Sequence, residues 1–150
     1  MAEGWPILAI EGTRNTDLES ALVSLLVEET WEGLYRCEAT FDNWSYDGYV
    51  YDDRSVLDFG KKLEVKIGEE SSAVLIFDGK IMGLEGVFPR ESGPLLSVLA
   101  DDRLHDLRMT RRTRGFEEMS DSAIISQVIG DAGLTASVSV TGVEQHALVV

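Results

Sequence analysis

The stretch from Asp101 to Leu134, DDRLHDLRMTRRTRGFEEMSDSAIISQVIGDAGL, constrains this chain more than any other. Five of the thirteen basic residues fall within twelve positions: Arg103, Arg108, Arg111, Arg112 and Arg114. An acidic turn and a compact helical pattern follow. What precedes is acidic and alternates like β-strand. Charge and secondary-structure period change together here, which marks a junction.

Before the junction, short apolar runs recur at turn-separated intervals. Trp5 to Ile10 reads as a strand, with Pro6 at its start or on an edge. Glu11 to Thr16 reads as a polar turn. Ala21 to Val27 fits either period, and the β-like run Leu34 to Phe41 behind it favours strand. Asp42 to Asp58 is rich in Asp, Gly and aromatics and reads as a loop or ragged edge. Lys61 to Ile67 alternates, placing Leu63, Val65 and Ile67 inward and Lys62, Glu64 and Lys66 outward. Ala73 to Phe77 and Leu95 to Ala100 are strands. Asp78-Gly79 is either a hairpin turn or a bulge in one long bent strand from Val74 to Phe88. Such a series indicates a barrel or sandwich.

After the junction, Ser120 is a good N-cap and Asp121 suits the first turn of a helix. Ile124, Ile125, Val128, Ile129 and Ala132 form one apolar stripe, and Gly133 is the expected residue past its end. Thr135 to Val143 alternates like a strand. The chain closes on ALVV, an apolar terminus that calls for a continuing chain or a partner.

The residues show no reaction chemistry. His105 and His146 lack metal-ligand spacing, and there is no nucleophile elbow or phosphate loop, so no catalytic residue, metal or cofactor is expected. Cys37, the sole cysteine, reads as a buried inert thiol. The net charge of −14 opposes nucleic-acid binding. No apolar run reaches the ~20 residues of a membrane span, and MAEGWPILAIEG is not a secretory signal. A cytoplasmically made chain with no membrane anchor is expected. One alternative stands in the loop. Trp44, Tyr46 and Tyr49 with Asp47, Asp52 or Asp53, in the aromatic and acidic cluster 44–58, could serve a carbohydrate-binding β module or a weak glycosidase.

The order of motifs resembles the phage late control gene D family, baseplate hubs related to the VgrG-type spikes of contractile injection systems. The matching residues are Asp102-Arg103-Leu104-His105, then Arg111, Thr113, Arg114 and Phe116. Met119-Ser120-Asp121 follow, with Ile124 and Ile125 in the helix and Gly133-Leu134 at its end. Upstream, LDFGKKLEVKIGEE and LIFDGKIMGLE resemble the family's first barrel.

The resemblance implies a mainly β fold: a β-barrel of phage-tail hub type with one short α-helix near the C-terminus. Residues 1–100 would form the barrel, 101–119 a basic connector, and 120–150 the helix and strand that begin a second hub domain. It implies a non-enzymatic homotrimer that adapts a hexameric inner tube protein to a trimeric spike or spike-tip protein, beside other baseplate proteins, in a phage virion tail or injection particle. Arg103, Arg108, Arg111, Arg112 and Arg114 would lie at a subunit interface. Family members are longer, so this chain is expected to be either cut short or completed by a separate polypeptide.

Overall fold

The computed structural model describes residues 4–31, 33–51, 53–109, 112–139, 144–145 and 148–149. The chain divides into two compact units, Met1–Asp102 and Arg103–Val150.

The first unit is one antiparallel sheet. Its elements are β1 (Ile7–Ile10), β2 (Thr13–Arg14), α1 (Thr16–Ala21), β3 (Leu22–Glu29), β4 (Tyr35–Asp42), β5 (Trp44–Ser45), β6 (Gly48–Tyr49), β7 (Lys62–Ile67), β8 (Val74–Val87) and β9 (Leu95–Asp102). Seven strands pair in the order β2-β1-β7-β8-β9-β4-β3, and β5 and β6 form a separate hairpin. The mainly β expectation is what the structure shows, but among the described residues no hydrogen-bonded ladder closes the sheet into a barrel: β2 and β3 are its two edges. They are nevertheless neighbours along the chain, joined only through Asn15 and the six residues of α1. A helix of that length spans about 9 Å. It packs against β1 and β4, so the seam of the curled sheet carries a helix where a barrel would carry a ladder.

The sequence reading missed α1. Its signals are present: Asn15 accepts from the Leu18 amide at 3.0 Å, and Asp17 and Glu19 lie in the first turn. Six residues are too few to show a helical period. The helix is fastened by the buried Glu19. Its carboxylate takes a two-pronged pair from Arg14, Nε to Oε1 and Nη2 to Oε2, both at 2.9 Å. It also accepts from the Leu8 amide at 3.1 Å. That pairing holds the Arg14 guanidinium charged, its pKa raised further above its ordinary value. A carboxylate buried without such partners would be strongly unfavourable.

β8 settles the ambiguity at Asp78-Gly79. It is one strand of fourteen residues with no hairpin at that point. Its extra residues lie on either side: the register steps past Ile76 against β7 and past Met82 against β9. Gly79 is there for space. A Cβ would overlap the Asp101 carbonyl and the Phe77 ring. The step at Ile76 also corrects the outer end of β7, where Leu63 and Val65 are buried but Ile67 is exposed. The core gathers Leu8, Leu18, Cys37, Ala39, Phe41, Tyr51, Leu57, Leu63, Val65, Phe77, Ile81, Val98 and Ala100. Burying each large apolar side chain contributes roughly 1.5–3 kcal/mol.

The second unit contains α2 (His105–Arg108), β10 (Gly115–Phe116), β11 (Met119–Ser120), α3 (Asp121–Asp131), β12 (Glu144–Gln145) and β13 (Leu148–Val149). The expected late helix is present, and α1 and α2 are additions to it. Ser120 Oγ accepts from the Ala123 amide at 3.3 Å, and Gly133 adopts φ +70°. Leu134 N donates to Ile129 O and Gly133 N to Gly130 O, the paired closing bonds that a left-handed glycine permits. Phe116 and Ile124 are buried. The strand expected from Thr135 is not formed over 135–139, although Ala136 and Val138 remain less exposed than Ser137 and Ser139. Val140 to Val143 lie outside the described residues. Leu148–Val149, within the apolar terminus, pair with Gly115–Phe116.

Candidate assembly surfaces

The described members of the predicted arginine group are held in different ways. Arg103 Nη2 donates to the Gly133 carbonyl at 2.9 Å, at the C-terminal end of α3 where a cation is favoured. Arg114 pairs with Asp131 in the last turn of the same helix. These two guanidinium groups therefore brace α3. Arg108 and Arg112 are exposed, and Arg111 lies outside the described residues.

The outward face of the sheet carries its own charge pairs, although Asp78 Oδ1 is buried without a hydrogen-bond partner. Register places Lys62, Lys80, Asp101, Arg36 and Glu28 in one row across five strands. Lys62 reaches Asp78 at 3.2 Å and also pairs with Glu64, and Arg36 reaches Asp101 at 3.3 Å. Thr40 and Ser97 share a hydroxyl hydrogen bond at 2.9 Å nearby. Exposed pairs of this kind each contribute little, on the order of 0–1 kcal/mol, but they keep the face solvated. The edge differs. β3 is an eight-residue edge strand whose side chains include the exposed Val23 and Leu26. Unpaired edges of that length are templates for another chain.

The β5–β6 hairpin is the most distinctive surface. The buried Asn43 ties it down. Its Oδ1 accepts from the Val50 and Tyr51 amides at 3.1 and 2.8 Å, and its own amide donates to the Pro94 carbonyl at 3.0 Å. Tyr51 packs edge-on against Phe41 in the core, ring centroids 6.3 Å apart. Above this base, Trp44 and Tyr49 face each other across the strands at 5.4 Å, interplanar angle 88°. Tyr46, at the turn, is fully exposed, and Trp44 and Tyr49 are about half exposed. The sequence placed these aromatics in a loop or ragged edge, and the structure shows a braced hairpin.

The acids around it serve the backbone. Asp42 accepts from the Trp44 amide at 3.2 Å, Asp53 from the Ser55 amide at 2.8 Å and Asp58 from the Phe59 amide at 2.8 Å. The hydrogen bonds from Ser55 lower the Asp53 pKa below the usual carboxylate value. The general acid of a glycosidase requires the opposite shift, so Asp53 does not suit that one role. Asp52 lies outside the described residues, as does His146. Among the described residues no cluster of His, Cys, Asp and Glu could hold a metal, and no helix is long and apolar enough to cross a membrane. Cys37 is buried, and burial pushes its thiol up to about 12, so it is no nucleophile.

A curled seven-stranded sheet with a helix in its seam, followed by a small unit with a capped helix, defines a class: the chain has the fold of a phage tail protein. It resembles the 43 kDa tail protein of prophage MuSo2 from Shewanella oneidensis, with a TM-score of 0.71 and 17% identity, over 97% of this chain and 43% of that one. The chain thus spans less than half the length of that protein. By sequence, residues 24–150 match the family described as the Alg8 N-terminal domain, and the chain belongs to that family. No curated protein matches. The phage-tail-like fold that the resemblance implied is therefore present, while the family matched is the Alg8 N-terminal domain and not late control gene D or VgrG.

Proposed function

We propose that this chain is a non-enzymatic structural subunit of a phage-type tail or contractile injection particle, assembling as a homotrimeric hub between a hexameric inner tube and a trimeric spike. The observation that carries the reading is the likeness to a prophage tail protein over nearly the whole chain. The exposed apolar edge of β3 and the braced aromatic hairpin support it, because both are surfaces that assembly would cover. The lowered Asp53 pKa counts against that residue as the general acid of a glycosidase at the same loop.

Light scattering of the purified chain, alone and with a co-expressed tail-tube protein, tests the proposal. A trimer mass and co-elution with the tube protein are expected. A monomer at every concentration that also ignores the tube protein would overturn the hub reading.

A further inference from the structure

Three aromatic side chains on a rigid, core-tied hairpin are left in water. Their support is already ordered by Asn43, so covering them costs little additional conformational entropy. Exposed Trp and Tyr on such a base are the residues that dominate protein interfaces. Charge selects the occupant. Residues 42–58 carry five Asp against Arg54 alone. Asp42 and Asp53 are each held in place by a backbone amide on one oxygen.

The chain itself carries the complement. Residues 103–114 hold five Arg and one Asp. Arg103 and Arg114 are turned to the end of α3, and Arg112 is exposed. A guanidinium stacks on Trp or Tyr and at the same time forks onto a carboxylate, which an ammonium does less well.

We infer that the Trp44–Tyr46–Tyr49 hairpin, with Asp47 at its turn, is a docking tip for the arginine segment of a second copy of this chain, with Arg112 as its principal contact. The contact is head-to-tail, since it uses different surfaces on the two copies, and it closes into a ring when the rotation allows. It deepens the tail-subunit reading by naming where copies meet, and rests on that reading's self-association.

The test is sedimentation velocity of the full chain across concentration and salt. Tyr46→Ala, Asp47→Arg and Arg112→Glu are exposed substitutions that leave the fold intact. Each is expected to weaken self-association about tenfold or more. Combining Asp47→Arg with Arg112→Glu in one chain restores it, because the charges are exchanged. Self-association unchanged by the three single variants overturns the contact, as does a wild-type chain that stays monomeric. Trp fluorescence that titrates with chitin oligosaccharides and loses its response in Tyr46→Ala also overturns it, in favour of a glycan platform. Failure of the contact is separable from failure of the tail reading. Tip variants that associate normally and still enter tail particles leave the tail reading standing. A chain that associates through the tip but never enters such particles leaves the contact standing.

Discussion

Phe41 and Phe116 are both buried, yet they stabilise very different bodies. Phe41 sits within a continuous cluster that runs from Leu8 on β1 to Ala100 on β9. Phe116 belongs to a unit in which, among the described residues, only Ile124 is buried with it. Ile125 and Val128 on the stripe of α3 remain about 40% and 39% exposed. The charges divide as unevenly. Residues 1–102 carry twenty-one acids and eight bases, and residues 103–150 carry six and five. The first unit has apolar area enough to tolerate self-repulsion. The second relies on a cap, a glycine stop, two short ladders and two arginines at the end of one helix. Local devices of this kind contribute about 1 kcal/mol each or less, against several for a core aromatic.

The comparison breaks most sharply at its aromatics. Phe41→Ala removes a fully buried ring and its edge contact with Tyr51, and is expected to cost about 3–5 kcal/mol. Phe116→Ala is expected to cost less and to act only within residues 103–150. Hydrogen exchange by residue reads both: Phe41→Ala should raise exchange throughout the seven-stranded sheet, and Phe116→Ala should leave that sheet protected. Equal costs, or loss of sheet protection in Phe116→Ala, would mean that the two units fold as one.

A smaller effect comes from Cys37, whose thiol burial pushes up to about 12 from an ordinary value of 9.0. The folded thiol therefore keeps its proton where the unfolded one has lost it. Its contribution to stability is complete below the unfolded value and is lost as pH rises from there toward 12. The slope is at most about 1.4 kcal/mol per pH unit. Urea midpoints at pH 8 and pH 10 should fall more for the wild type than for Cys37→Ala. A thiol reagent at pH 8 should label only as fast as the first unit opens. Rapid labelling would place Cys37 outside the core.

What could be read in advance follows the same division between local and distant causes. The cap at Ser120, the stop at Gly133 and the alternation of Leu63 and Val65 depend on residues a few positions apart, so the sequence displays them. The path of β8 depends on the Asp101 carbonyl lying where a Gly79 Cβ would go, a contact between strands that no period reveals. Closure of a sheet is a long-range property too, and short strands with bends read as a barrel whether a ladder or a helix fills the seam. α1 was hidden for the opposite reason: it is fully local but shorter than two turns. The arginine segment was legible as charge only. Direction was not, because Arg103 and Arg114 find their partners at Gly133 and Asp131, beyond the reach of a composition count. The hairpin aromatics were noticed as a cluster, but the buried Asn43 that makes them rigid gave no signal beyond an ordinary loop asparagine.

The smallest expected effect separates two neighbouring arginines that composition treats alike. Arg114 is partly buried and paired with Asp131, whereas Arg112 is exposed. Arg114→Glu sets two carboxylates against each other in the last turn of α3, where the helix dipole already disfavours negative charge. It should lower the stability of the second unit by about 1 kcal/mol, read as faster exchange of the α3 amides. Arg112→Glu should leave those amides unchanged. Adding Asp131→Arg to Arg114→Glu should recover most of the loss, since the pair is then reversed and not broken. Should Arg112→Glu instead be the variant that loosens α3, the bracing role belongs to Arg112, and Arg114 becomes the residue left to meet another copy.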